Sequence, residues 1–402
     1  MKLDGIVFVH DDPTMWTHGG GRVVVSLARY VAVLLVYPLG IRALSQQHKG
    51  LTLVRALGRY ALGSDFDQVE GASLMHIPMI PLSSHFRFIS QANMAWLRAR
   101  IRGAVVRLGW QRFALWFTFP TFGHLIGEIG ETICIYHAVD DYTTFPIPDP
   151  DRERTRRMEQ AVLKRADLAF GVSRVLTEQM RDLGAGERAF YLPNGTNIRR
   201  RQPRDCPKPA ELAKLKGPLL CYLGSINERV DLVLLKQIMA KQSEWNLVLI
   251  GDIKGGQLRP DSPQVKNLFE LPNVIWLGSK PNTVVPNYLV WMDVCLIPYA
   301  IDFATNHYCF PYKLFDYLAA GRPVVSTPVP AVCDHASWVR IATSPWEFEQ
   351  QINASLGEGE HQEEARINFS ATNTWDDRAN VVLSLLEQTV NRRPPDTHGR
   401  AH

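Results

Sequence analysis

Along most of the chain, short uninterrupted apolar runs alternate with amphipathic stretches. This is the pattern of strands buried on both faces of a parallel sheet and joined by crossover helices. In the first half the runs predict strands at Gly5–His10, Ala32–Tyr37, Ser73–Pro78, Phe113–Phe119, Thr132–Tyr136, Asp167–Val172 and Ala189–Leu192, with helices near 21–30, 91–108, 151–165 and 174–183. The rhythm restarts at Leu219–Leu223 and continues through Asn246–Ile250, Val274–Leu277, Val294–Pro298, Pro323–Ser326 and Trp338–Ile341. Helices are expected there near 230–241, 283–291, 311–320 and 345–356.

Between the halves lies a polar, proline-rich stretch from Arg199 to Pro209, which reads as a linker. The expectation is an α/β chain of two tandem Rossmann-like, doubly wound domains facing a cleft. The boundaries are 1–198, a linker at 199–216, and 217–374; an amphipathic run at 375–390 returns to the first domain, and a frayed polar tail follows at 391–402. In open α/β sheets ligands bind beyond the carboxyl ends of the strands, so chemistry belongs in the loops that follow them.

Composition agrees with a folded globular chain: 46% of the 402 residues are hydrophobic and 21% charged, which excludes a disordered or fibrous protein. No run approaches the roughly 20 apolar residues of a membrane-spanning helix, and a signal-peptide layout is lacking, so a cytoplasmic protein is expected. The six cysteines form no C-x-x-C pair and sit mostly in strand-like runs; they read as reduced core residues. Net charge is only +4, but no acidic residue falls between Glu70 and Glu128, an interval holding Arg87, Arg98, Arg100, Arg102, Arg107 and Arg112 among Trp and Phe residues. Within it, 85–112 is the composition of a surface that lies on anionic lipid; without stacking platforms and a strongly basic domain, nucleic acid is not expected as a partner. The bland alternative is a buried helix with a basic face.

Four loops carry candidate chemistry. After the first strand, Gly19, Gly20 and Gly21 open a helix, where exposed backbone N–H groups suit a phosphate or sugar of the acceptor, or merely make a tight turn. His137, Asp140 and Asp141 follow a later strand; one carboxylate there can take a proton from an attacking hydroxyl, while the other caps the next turn. Gly224 and Ser225 follow the first strand of the second domain, with Arg229 as a charged clamp for a diphosphate. Lys313 stands at a helix start, where the dipole disfavours a cation, so an anion rather than the helix requires it. Asp316 lies on the same face, placed to accept from ribose hydroxyls.

The run Phe310-Pro-Tyr-Lys-Leu-Phe-Asp-Tyr-Leu-Ala-Ala-Gly-Arg-Pro-Val-Val resembles the donor-binding signature of GT-B glycosyltransferases. Tyr191-Leu-Pro-Asn-Gly-Thr-Asn, Leu220-Cys-Tyr-Leu-Gly-Ser-Ile, Leu247-Val-Leu-Ile-Gly-Asp, Pro272-Asn-Val-Ile-Trp-Leu-Gly and Asp293-Val-Cys-Leu-Ile-Pro-Tyr are similar to other segments of that superfamily, in order. The resemblance implies that Gly224, Ser225, Arg229, Tyr299, Tyr312 and Lys313 face the donor diphosphate or base and that Asp316 meets ribose or sugar. Tyr136-His-Ala-Val-Asp-Asp-Tyr resembles the inverting glucuronosyltransferases of xanthan-type polysaccharide assembly, which implies Asp140 as base. Many retaining members carry two acids eight residues apart; here Tyr308 stands eight before Asp316, which favours inversion.

The implied function is transfer of a sugar from a nucleotide diphosphate donor to a lipid-linked or polysaccharide acceptor, peripheral on the cytoplasmic face of a membrane, with no cofactor and no metal. Two alternatives stay open: a sugar-nucleotide epimerase or hydrolase on the same fold, and a catalytically silent nucleotide-sugar-binding scaffold.

Overall fold

The computed structural model describes residues 2–11, 20–40, 66–80, 87–199, 206–254 and 258–392. The chain divides into two compact units, Met1–Pro193 with Arg378–His402, and Asn194–Asp377.

Unit one is built on eight strands: β1 (Gly5–Val9), β2 (Ala32–Gly40), β3 (Asp67–Val69), β4 (Ala72–Met79), β5 (Phe113–Phe117), β6 (Ile133–Ala138), β7 (Leu168–Gly171) and β8 (Ala189–Tyr191). Their order is β3-β4-β2-β1-β5-β6-β7-β8, parallel except for β3. Every residue of β1, β5 and β6 is buried, as strands covered on both faces must be. Strand β3 has no counterpart in the sequence reading, because it is short and half-exposed. It pairs with β4 across the turn Glu70-Gly71, both residues at positive φ, 47° and 87°, which is the two-residue turn that matches strand twist.

The helices of unit one used below are α1 (Gly20–Leu27), α2 (Arg87–Arg107), α3 (Asp149–Arg165) and α4 (Arg174–Met180). Successive side chains on β6 show the double winding directly. The Tyr136 hydroxyl reaches Glu159 of α3, whereas His137 on the opposite face meets Gly20 of α1.

Unit two holds six parallel strands in the order β11-β10-β9-β12-β13-β14. They are β9 (Leu219–Leu223), β10 (Asn246–Ile250), β11 (Val274–Trp276), β12 (Val294–Ile297), β13 (Val324–Ser326) and β14 (Arg340–Ile341). Helix α5 (Lys313–Ala319) precedes β13, and α6 (Trp375–Arg392) closes the described chain. The mixed α/β, doubly wound architecture expected from the apolar rhythm is present in both units.

Several boundaries differ from the sequence reading: unit two begins at Asn194 rather than 217 and ends at Asp377 rather than 374. The expected linker 199–216 is, from Cys206 onward, part of unit two: Cys206 is buried, its carbonyl accepts from Trp291 Nε1 at 3.2 Å, and Glu211 pairs with Lys280 at 3.0 Å. Asn391 and Arg392, expected in a frayed tail, complete α6, while 393–402 lie outside the described residues. Among the cysteines, Cys134, Cys206, Cys221, Cys295 and Cys309 are buried and Cys333 is exposed, all unbridged.

Candidate functional site

In unit two the loop after β9 turns at Gly224, whose φ of 123° favours glycine and whose N–H donates to the Ile250 carbonyl at 2.8 Å. A side chain there would place its Cβ 3.1 Å from Lys313 Nζ, so glycine also gives the lysine its room. Lys313, the first residue of α5, is 7% exposed although charged. Its ammonium lies 4.0 Å from the ring centroid of Tyr222 and 4.8 Å from that of Tyr299, and donates to the Tyr299 hydroxyl at 3.1 Å. Among the described residues no carboxylate pairs with it. Burial draws its pKa down to about 7, with Arg229 pushing the same way and Cys309 and Cys221 opposing.

The other predicted donor residues surround this point. Ser225 is exposed, its carbonyl accepting from the Tyr222 hydroxyl at 2.9 Å. Arg229 and Tyr299 are held by the loops after β9 and β12, where Ala300 N–H donates to the Arg229 carbonyl at 2.8 Å. Tyr312 is 38% exposed beside Lys313. Asp316 Oδ1 accepts from Thr196 Oγ1 at 2.6 Å, so one of its two oxygens is engaged with the chain. Burial raises this carboxyl to about 6 against the opposing Thr196 bond. Asn194 Nδ2 donates to the Phe310 carbonyl at 2.9 Å, so the Pro193-Asn194-Gly195-Thr196 run is bonded to the 310–316 segment at two points. Sequence similarity noted both segments but not their contact, which spans 120 residues.

In unit one, β6 leads into the carboxylate pair. Asp141 is 2% exposed and caps the turn Tyr142–Thr144: Oδ1 accepts from Thr143 N at 2.9 Å and Thr143 Oγ1 at 2.6 Å, and Oδ2 from Gln179 Nε2 at 3.0 Å. With both oxygens engaged it holds the loop, and its place among the catalytic candidates is corrected accordingly. Asp140, one residue earlier, is only half-buried at the end of the strand.

His137 also departs from the expectation of a base directed at substrate. Its imidazole is 2% exposed, ringed by Trp116 and Phe170 at centroid distances of 5.8 Å and 6.0 Å, and burial lowers its pKa to about 3. It is therefore neutral at ordinary pH and a weak base. Gly20 packs against it, for a Cβ at that position would lie 2.8 Å from His137 Nδ1. Gly20 and Gly21 are both buried in the first turn of α1, so close helix-to-strand approach accounts for Gly20 before any ligand does; Gly19 lies outside the described residues.

Three residues at these sites escaped the sequence reading. His10, at the carboxyl end of β1, is buried with its ring 5.2 Å from Phe119, which stacks on Tyr142 at 4.5 Å. Glu159 sits beneath β6, and Tyr222 lies under Lys313. Only His10 carried a signal, as a titratable residue directly after a strand.

Residues 217–357 match the model of the family glycosyl transferases group 1. A putative teichuronic acid biosynthesis glycosyltransferase of Bacillus subtilis, TuaH, is 28% identical over 283 residues, covering 66% of this chain and 69% of that protein. The fold is shared with HepE of Anabaena, solved in complex with UDP and glucose: TM-score 0.69 at 12% identity, over 96% of this chain and all of HepE (100%). Sucrose-phosphate synthase of Thermosynechococcus elongatus has the same TM-score, 0.69, at 13% identity, over 97% and 100% of the two chains. The fold is the GT-B fold of those structures, and residues 217–357 carry the glycosyl transferases group 1 match. The part of the chain that carries the glycosyl transferases group 1 match is unit two, the unit that contains Lys313 and Gly224.

Proposed function

We propose that the chain transfers a sugar from a nucleotide diphosphate donor to a lipid-linked or polysaccharide acceptor with inversion at the anomeric carbon. The observation that carries the donor half is Lys313: a buried ammonium with no carboxylate partner among the described residues, set against a glycine turn, is suited to a dianionic or trianionic ligand. The amide of Ser225 and the Arg229 guanidinium add further donors, with Tyr299 and Tyr312 flanking, while the Gly224 N–H is committed to the Ile250 carbonyl. The name of the Bacillus relative, which places it in teichuronic acid biosynthesis, supports a polysaccharide product, and the UDP complex of HepE supports UDP as the first nucleotide to try.

In this reading Asp140 takes the proton from the acceptor hydroxyl as that oxygen bonds to the anomeric carbon. The bond to the nucleotide diphosphate breaks with its electron pair, and Lys313 and Arg229 meet the charge that develops on the leaving phosphate. No step is routed through a metal, so turnover is expected to survive chelation.

Membrane attachment is part of the proposal. No helix among the described residues is long and apolar enough to cross a bilayer. Helix α2 instead exposes Phe88, Trp96 and Val106 at 68%, 38% and 77%, with Arg102 also exposed, while Leu97, Ile101 and Ala104 are buried. An exposed apolar stripe with basic neighbours supports peripheral binding to the anionic cytoplasmic surface.

The test is a thermal-shift screen of nucleotide sugars, since a ligand of the native state raises apparent stability by mass action. Lys313→Ala should weaken donor and free UDP about ten- to a hundredfold; unchanged affinity would remove the donor assignment. Nucleotide release without acceptor would favour a hydrolase, and binding without release in the presence of membrane extract would favour a scaffold.

A further inference from the structure

One side chain in unit two touches both arms of the proposed diphosphate site and has been given no role in it. Tyr222 stands on β9 two residues before Gly224 and is 1% exposed. Its ring face lies 4.0 Å from Lys313 Nζ, while its hydroxyl donates to the Ser225 carbonyl at 2.9 Å. Tyr299 closes the other side of the ammonium with its own ring and hydroxyl. The remaining charged and titratable groups around Lys313 are Arg229, Cys309 and Cys221. An ammonium taken from water needs compensation, and two aromatic faces give it without cancelling the charge.

We infer that Tyr222 is the positioning residue of the donor site: one rigid ring holds Lys313 Nζ by its face and the Gly224–Ser225 turn by its hydroxyl. The lysine and the Ser225 end of the loop are thereby set at a fixed separation before a diphosphate arrives, and the ligand does not have to order them. The inference rests on the donor reading of the preceding section. It also makes a distinct statement about protons. Because burial brings Lys313 to about 7, a diphosphate bound at alkaline pH draws a proton onto Nζ, and the Tyr222 face stabilises the ammonium so formed. At acid pH the lysine is charged before and after binding, and the ring contributes equally to both states.

The experiment is calorimetric titration of UDP and of inorganic pyrophosphate at about pH 6 and about pH 8.5. Tyr222→Leu should bind within about threefold of the parent at the lower pH and about tenfold more weakly at the higher. Tyr222→Phe, which keeps the ring and loses the hydroxyl, should retain the parental pH profile with a uniform loss of about threefold. Equal losses at both pH values for Tyr222→Leu would mark a merely structural residue and overturn the inference, as would no loss at either. If the leucine variant does not fold, parental affinity in Tyr222→Phe at both pH values overturns it instead. Lys313→Ala separates the two levels. Unchanged affinity in that variant removes the donor reading itself, whereas weakened affinity alongside an unaltered Tyr222→Leu pH profile removes only the role of Tyr222.

Discussion

The hydroxyl of Tyr136 donates to Oε1 of Glu159 at 2.7 Å with both side chains sealed from solvent beneath the strand that leads to Asp140. Burial raises the Glu159 carboxyl from an ordinary 4.5 to about 7; the Tyr136 bond opposes the rise and the nearby Asp141 adds to it. The folded state therefore holds a proton that the unfolded chain releases between those two values, and stability is lost as pH climbs from about 4.5 to about 7. Glu159→Gln keeps an acceptor for Tyr136 without the proton. It should flatten the loss and exceed the parent at about pH 8 by up to ~3 kcal/mol in urea unfolding. A parent whose stability does not change across that window would contradict the assignment.

Asp140 and Asp141 are adjacent but differently employed, and substitution should separate them. Asp140→Asn is expected to reduce turnover by about 10²–10⁴ while donor affinity stays near parental, because only proton transfer is lost. Asp141→Asn removes one of the acceptors that holds the Tyr142–Thr144 turn and should lower stability by about 1–3 kcal/mol with a smaller effect on turnover. Near-parental turnover in Asp140→Asn, or a product that retains the donor's anomeric configuration, would remove the base and leave fold and donor site intact.

Gly20→Ala should be destabilising, by about 1–3 kcal/mol, since the new methyl would stand 2.8 Å from His137 Nδ1 and 3.0 Å from Val139 Cγ1. His137→Ala makes a cavity but clears the space. The double variant should therefore be more stable than the sum of the two single losses predicts, which a double-mutant cycle in thermal unfolding reads directly. Simple additivity would place Gly20 elsewhere in the energetics.

Membrane attachment through α2 should be salt-sensitive and unequal along the helix. Arg98 pairs with Glu128 at 3.0 Å, whereas Arg102 and Arg107 are exposed, Arg107 lying over the Phe66 ring at 5.6 Å. In vesicle sedimentation Arg102→Glu should weaken binding to anionic lipid several-fold, at roughly 1 kcal/mol per basic residue, and more than Arg98→Glu does. Indifference to lipid charge would end the proposal.

The acid-free interval illustrates how far a linear reading reaches. The sequence separates Arg98 from Glu128 by 30 residues, and only the packing of α2 beside the segment before β6 turns one of its six arginines into half of an ion pair. In the same way Glu70-Gly71 is not a conspicuous turn dipeptide, so β3 becomes visible only through its pairing with β4. The central strands β1, β5, β6 and β12 were legible because a parallel sheet buries both faces there and writes itself as continuous apolar runs.

The sequence by itself determined the doubly wound α/β class, the strand order of appearance, the glycine turn at Gly224 and the lysine at the start of α5, since each depends on local periodicity or on the conformational freedom of one residue. The tertiary structure alone decided which polar groups are spent. It gave Asp141 to a turn, engaged one oxygen of Asp316 with Thr196, enclosed His137 among aromatic rings and set Tyr222 beneath Lys313. Burial and hydrogen-bond partnership arise between residues far apart in the chain, and they govern whether a titratable side chain is charged, occupied or available.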